Sequence, residues 1–345
     1  MTESLPKLDD RSHVLLKTLV ERYIADGQPV GSRTLAQDSG IVLSPATIRN
    51  VMVDLEEMGL VSSPHTSAGR VPTVQGYRVF IDTMLNIRPL DNKAVAELKK
   101  QLHPGLDNKM LIKAASTLLS DITHLAGIVM IPSRDAMSIR HIEFLPLSNR
   151  RILAILVINE KEIQNRILDV DRTYTASELQ QAANYINQNL LGQHLKSVLE
   201  ELKRELFQTQ QELSGLMRLV VEVAGKVFEQ REQEDLVVEG QTNLMGFNDL
   251  SDMDKLKQLF EAFNKKRDIL HLLDRCQQAE GVQIFIGQES GYDVLDDCSV
   301  ITSPYSVRGE PVGVLGVVGP TRMPYDRVIP IVDITAKLLS SALTQ

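Results

Sequence analysis

The chain has 345 residues, 43% of them hydrophobic, which is long for one domain and apolar enough for two or three packed cores. Its net charge of −8 excludes the polycationic balance of a non-specific nucleic-acid binder, and its longest purely aliphatic run, 152–158, falls far short of the roughly 20 residues that span a membrane. With no charged-then-apolar leader after Met1, a cytoplasmic protein is expected, and two cysteines, Cys276 and Cys298, make neither a CxxC pair nor a disulfide framework.

In chain order, PVGSRTLAQDSG at 29–40 predicts a short helix capped by Ser32 and closed by Gly40. Three residues later SPATIRNVMVDLEEMG predicts a longer one. Ser44 suits the N-cap because its hydroxyl can accept a backbone N–H that the first turn leaves unpaired, and Pro45 suits the first helical position, where a missing N–H is no loss. Ile48, Met52, Leu55 and Met58 recur at helical spacing on one face, and Gly59 supplies the left-handed stop. The opposite face carries Ala46, Arg49, Asn50, Val53 and Glu57. These are small residues and hydrogen-bonding forks near the N-terminus with acid at the far end, and such a face can read base edges. Two helices so tightly joined make a helix-turn-helix. After Gly59, 60–63 and 70–73 can pair as short strands around His65, Thr66, Ser67, Ala68 and Gly69, the shape of a winged helix. Spacing alone leaves open an ordinary helical subdomain. Residues 1–88 hold nine Lys or Arg against ten acids, so affinity for DNA has to come from few, well-placed contacts, as in a dimer reading two half-sites.

RPLDN at 88–92 breaks the helical pattern and reads as a linker. Residues 93–126 look helical. Beyond them 127–132, 141–147, 151–159 and 163–171 are β-rich runs separated by polar turns, which suggests an antiparallel meander. From about 176 the chain turns Gln- and Leu-rich and helical, and strands return only at 282–287, 298–307 and 311–318. A helical insertion thus interrupts an α+β domain, and the pattern does not decide on which side of the boundary the meander from residue 140 belongs. Within the insertion Leu195, Leu199, Leu202, Leu206, Thr209, Leu213, Leu216, Val220, Val223 and Val227 alternate steps of four and three, a heptad seam. Ser214 and Gly215 sit mid-run, and Gly costs about 1 kcal/mol inside a helix, so two helices packed together are favoured over one long coil. An intramolecular core stripe and a dimer interface both fit that seam.

Nothing points to catalysis. The seven histidines are scattered, no HExxH or metal-spaced Cys/His group occurs, and no Ser or Cys sits in a nucleophile elbow. The glycines of GEPVGVLGVVG, 309–319, lie on a valine-rich strand and fit close sheet packing better than a nucleotide loop.

SPATIRNVMVDLEEMGLVSSPHTSAGRVPTVQGYRVFIDTML closely resembles the recognition helix and wing of HrcA, the heat-inducible transcription repressor family of bacteria. THLAGIVMIP, RHIEFLPLSNRRILAILV, QTNLMGF, VQIFIGQE and SPYSVRGEPVGVLGVVGPTRMPYDRVIPIVD extend the likeness over nearly the whole chain. The resemblance implies an α+β multidomain fold: a winged helix-turn-helix over 1–88, a discontinuous GAF-like domain over 89–145 and 253–345, and an inserted, largely helical dimerisation domain over 146–252. It implies a homodimer bound to double-stranded DNA at the CIRCE inverted repeat of chaperone operons, helped by the GroE chaperonin and inactivated by heat, with no cofactor, metal or catalytic residue. On that reading Ser44 and Thr47 anchor phosphate, Arg49 and Asn50 read bases beside Ala46, and Arg70 with the wing from His65 through Ser67 to Gly69 holds flanking backbone. Arg33 and Arg78 are further phosphate contacts, and Leu199, Leu202, Leu206, Leu213 and Leu216 form the dimer contact. The alternative is a winged-helix repressor governed by a small molecule in the GAF-like domain.

Overall fold

The structure, a computed structural model, describes residues 8–65, 69–87, 89–103, 107–131, 139–147, 150–158, 162–170, 172–189 and 236–344. Helix α1 (Asp10–Asp26) begins where the Asp9 carboxylate accepts the Ser12 N–H at 2.8 Å and ends at the left-handed Gly27. Helices α2 (Ser32–Asp38) and α3 (Pro45–Glu57) follow. Leu15, Leu16, Leu19, Leu35, Ile48 and Leu55 are fully buried between the three. Ser44 caps α3 as its sequence predicts, but Ser32 is not a cap. Gly31 occupies that position without a side-chain bond, and Ser32 is the first helical residue. Met58 also departs from expectation. It sits at the C-cap, past the last full turn, where the side chain leaves the buried face and is 42% exposed.

Strands β1 (Val61–Ser62) and β2 (Val71–Pro72) pair antiparallel, Val61 opposite Pro72 and Ser62 opposite Val71. Helix α4 (Val74–Thr83) starts at Thr73, whose hydroxyl accepts the Gly76 N–H at 3.1 Å and donates to the Gly59 carbonyl at 2.6 Å. One side chain thereby starts α4 and ties the wing to the end of α3.

Helices α5 (Asn92–Gln101) and α6 (Asn108–Thr123) lead into β3 (Ala126–Met130). Strands β4 (Ile139–Leu147), β5 (Arg151–Ile158) and β6 (Glu162–Asp169) and helix α7 (Ala176–Asn189) come next. The chain returns at β7 (Leu236–Glu239), then α8 (Met253–Lys265), α9 (Arg267–Cys276), β8 (Gln283–Ile286), β9 (Cys298–Val307), β10 (Glu310–Pro320) and α10 (Tyr325–Thr344). Five strands form one antiparallel sheet in the order β7-β3-β10-β9-β8. Its residues alternate between two cores, as a pleated strand requires. Val129, Ile301, Leu315 and Val317 pack with α6 and α10, whereas Ile128, Val300, Val314 and Val318 pack with α8 and α9. The first core does not stop at the sheet domain: it runs on through Tyr325 and Val328 into Tyr77, Phe80 and the centre of the winged helix. Burial pushes the Cys298 thiol up to about 12 and raises that of Cys276, leaving two unreactive core side chains.

Strands β4, β5 and β6 form a separate three-stranded meander, with α7 burying Leu179, Ala182, Ala183 and Ile186 beside Ile142, Phe144, Ile152, Ala154 and Leu168. At the edge of β4 away from β5 the Asn187 side chain accepts the Ile142 N–H and donates to the Ile142 carbonyl, each at 2.9 Å. Contacts divide the chain into Met1–Ile131 with Leu236–Gln345, and Pro132–Asp235. The expected boundaries therefore move. The one at 145/146 cuts β4, which pairs with β5 along its length, so the meander belongs to the insertion. The one at 252/253 falls too late, because β7, a strand absent from the sequence expectation, pairs with β3 from Gly127 opposite Glu239 to Met130 opposite Leu236. The leucine seam, with Leu199, Leu202, Leu206, Leu213 and Leu216, lies outside the described residues.

Candidate nucleic-acid interface

The exposed side of α3 is built by its own buried side. With Ile48, Met52 and Leu55 turned into the core, helical periodicity leaves Ala46, Arg49, Asn50 and Val53 facing outward along one line. At the helix start the Ser44 hydroxyl accepts the Thr47 N–H at 3.1 Å and lies 2.9 Å from the Thr47 hydroxyl, so the two expected phosphate anchors are bonded to each other at an exposed positive helix end. Arg33 projects from α2, also exposed. Neither Arg33 nor Arg49 meets an ion-pair partner among the described residues.

Other arginines of this region are neutralised. Arg22 lies 3.0 Å from Asp38 and 3.3 Å from Asp26. Local pairing thus takes up part of the near-neutral charge balance of residues 1–88, while the Arg33 and Arg49 forks stay exposed on the two motif helices.

Two expected DNA contacts are placed differently. Arg70 does not project from the wing; its guanidinium meets Glu56 at 2.8 Å, tying the wing strand to the last turn of α3, and its Nε is buried without a hydrogen-bond partner. Arg78 points away into the sheet domain. Its Nε donates to Glu289 at 3.0 Å, its Nη2 donates to the Ile284 carbonyl at 2.7 Å and to the second Glu289 oxygen, and its Nη1 reaches Asp82 at 3.4 Å. Burial works against the Arg78 charge, but the Glu289 carboxylate outweighs it and holds the guanidinium above its ordinary value. An arginine so occupied has no fork left for phosphate.

At the wing, His65 is exposed and its carbonyl accepts the Ser63 hydroxyl at 2.8 Å; Ser67 lies outside the described residues. Gly69 is fixed by contact. A Cβ there would stand 2.4 Å from the Val30 carbonyl carbon and oxygen, because Val30 and Arg70 exchange backbone hydrogen bonds at 2.9 Å and draw the turn before α2 against the wing. Sequence reasoning missed this bridge and the roles of Glu56 and Glu289. Each joins residues far apart in the chain, and no local pattern marks such a pair.

A capped helix with an exposed polar face, a preceding helix held at a tight turn and a two-stranded wing braced to both define a winged helix-turn-helix DNA-binding protein. Residues 7–85 match the family described as "Winged helix-turn-helix transcription repressor, HrcA DNA-binding", and 109–329 match "HrcA protein C terminal domain". The chain is 51% identical to the heat-inducible transcription repressor HrcA of Methylobacillus flagellatus over 98% of its own length and 99% of the relative's. It is 52% identical to the protein of that name from Laribacter hongkongensis, over 98% and 96%. A crystal structure described only as a hypothetical protein superposes with a TM-score of 0.62 at 26% identity, covering 98% of this chain and 99% of that one. The chain belongs to the HrcA family of heat-inducible transcription repressors. No helix among the described residues is long and apolar enough to cross a membrane.

Proposed function

We propose that the chain represses chaperone operons by binding the CIRCE inverted repeat as a homodimer, is kept in its binding form by the GroE chaperonin, and loses that form on heating. The outward line of Arg49 and Asn50 on α3, opposite a fully buried face, carries the reading. Arg49 and Asn50 contact base edges beside Ala46, Ser44 and Thr47 sit at phosphate, Arg33 holds the flanking backbone, and His65 to Gly69 carry the wing along the duplex.

The strand order β7-β3-β10-β9-β8 with helices on both faces supports a GAF-like central domain. Within the insertion, Leu145, Leu147 and Ile167 are exposed apolar residues, which together with the leucine seam supports dimerisation there. Heat acts on the arrangement: contacts between domains open before the individual cores melt, and chaperonin occupied by other unfolded clients no longer restores the dimer.

A gel-shift titration on the inverted repeat tests this. Binding should be lost on mild heating and regained with chaperonin and ATP. Recovery with a small-molecule extract in the absence of chaperonin would decide for a ligand-governed repressor, and no preference for the repeat over scrambled DNA would end the operator reading.

A further inference from the structure

The winged helix and the sheet domain are joined by two arginine forks that run in opposite directions. Arg78 leaves α4 of the winged helix and grips Glu289 and the Ile284 carbonyl of the sheet domain. Arg322, in the turn between β10 and α10, reaches back the other way: its Nη1 donates to the Ile24 carbonyl of α1 at 3.1 Å, while Nε and Nη2 hold Asp249 at 3.0 and 2.8 Å. The Arg322 guanidinium also fills the space beside Gly27, where a Cβ would stand 2.9 Å from its central carbon. Between the forks Tyr77 of α4 meets Tyr325 of α10, ring centres 6.0 Å apart, and the Tyr325 hydroxyl is hydrogen-bonded to Ser299 and the Thr321 carbonyl at 2.7 Å.

Apolar contact alone permits sliding, because it has no preferred direction. A planar guanidinium bound by a carboxylate and a carbonyl does have one, and two such groups on either side of an aromatic pair define an angle between two bodies. In a dimer whose subunits meet outside the winged helix, that angle sets where each recognition helix arrives. A shift of one base pair displaces a half-site along the axis by about 3.4 Å and rotates it by about a tenth of a turn. We infer that the Arg78–Glu289 and Arg322–Ile24/Asp249 forks are positioning contacts that fix how the recognition helix is carried, and so set the half-site spacing that the dimer accepts. The inference rests on the proposed dimeric reading of an inverted repeat.

The test uses the full chain with Arg78→Lys and, separately, Arg322→Lys, which keep the charge and lose the fork. Each is titrated on three duplexes: the inverted repeat, the same repeat with its spacer changed by one or two base pairs, and a single half-site. The wild type should lose about tenfold or more in affinity per base pair of spacer change, since simultaneous engagement needs matched geometry. Each variant should bind the single half-site within about twofold of wild type, bind the native repeat several-fold more weakly, and show a spacer penalty of only about two- to threefold, because a loosened module tolerates more spacings. Glu289 is not substituted, because it also accepts the Ile286 N–H at 2.9 Å and its loss would disturb that turn. Variants that discriminate spacers as sharply as the wild type, or that lose half-site and full-repeat binding in equal proportion, overturn the inference. A wild type that binds the repeat no better than a half-site overturns the dimeric reading instead.

Discussion

Arg33 and Arg49 are both exposed and without an ion-pair partner among the described residues, yet their losses are expected to differ. Arg49→Ala should weaken the cognate repeat by about 1–3 kcal/mol per half-site and leave random DNA nearly unchanged, because a bidentate base contact discriminates between sequences. Arg33→Ala should weaken both alike and lower the salt slope by about one unit per site, as loss of a phosphate contact does. Paired titrations at several salt concentrations read both effects, and equal losses on the two DNAs for Arg49→Ala would remove its base-reading role. Gly69→Ala makes a separate claim. The added methyl meets backbone at 2.4 Å, which no side chain can yield to, so the Val30–Arg70 bridge must open. The wing residues should then exchange amide protons faster, with operator binding weakened and the global transition lowered by no more than about 1–3 kcal/mol. At this scale, residues that act within their own helix were legible. Ser44, Pro45, Arg49 and Asn50 could be placed because capping and periodicity are local. Arg70 and Arg78 could not, since their partners Glu56 and Glu289 are 14 and 211 positions away.

Whole elements were read well where composition and periodicity agree, as in α3 and the meander. They were misread where identity depends on a distant partner. LVVE at β7 is four residues long and becomes a strand by lying against β3, more than a hundred positions earlier in the chain. The shifted domain boundaries follow from the same cause. Helix starts give an acid-sensitive prediction. Hydrogen bonds from the Ser12 side chain and backbone hold the Asp9 carboxyl below its ordinary value, and those from Thr175 do the same for Glu178 at the start of α7. A depressed folded value means that the stabilisation is present above the unfolded pKa and disappears as pH falls through the folded one. Corrected for the intrinsic slowing of exchange in acid, the protection of amides in the first turns of α1 and α7 should therefore fall as pH drops below the ordinary carboxylate range, ahead of the strands of the central sheet. Asp9→Asn, which caps without titrating, should abolish the change in α1 and leave that in α7. Persistence of the α1 change in that variant would place its origin elsewhere.

For the molecule as a whole, the two most exposed proposals, spacing and heat, meet at the join between winged helix and sheet domain. Tyr77, Phe80, Tyr325 and Val328 belong to one continuous core across that join. Burial raises the Tyr77 phenol far above its ordinary value, and its ring centre lies 6.0 Å from that of Tyr325. The consequence concerns portability. Many regulators treat their DNA-binding part as a cassette that can be cut out and joined to another protein. Here the cut would uncover Tyr77 and the outer side of Phe80 and leave the Arg78 guanidinium without Glu289, so a cassette of residues 1–88 should be aggregation-prone and melt well below the full chain. Grafting it onto a foreign dimeriser should fail unless α10 and the turn carrying Arg322 travel with it. Circular dichroism and light scattering on the excised piece, with and without Arg78→Gln and Tyr77→Ser to quiet the bared surface, would measure how far this reader can live apart from its body.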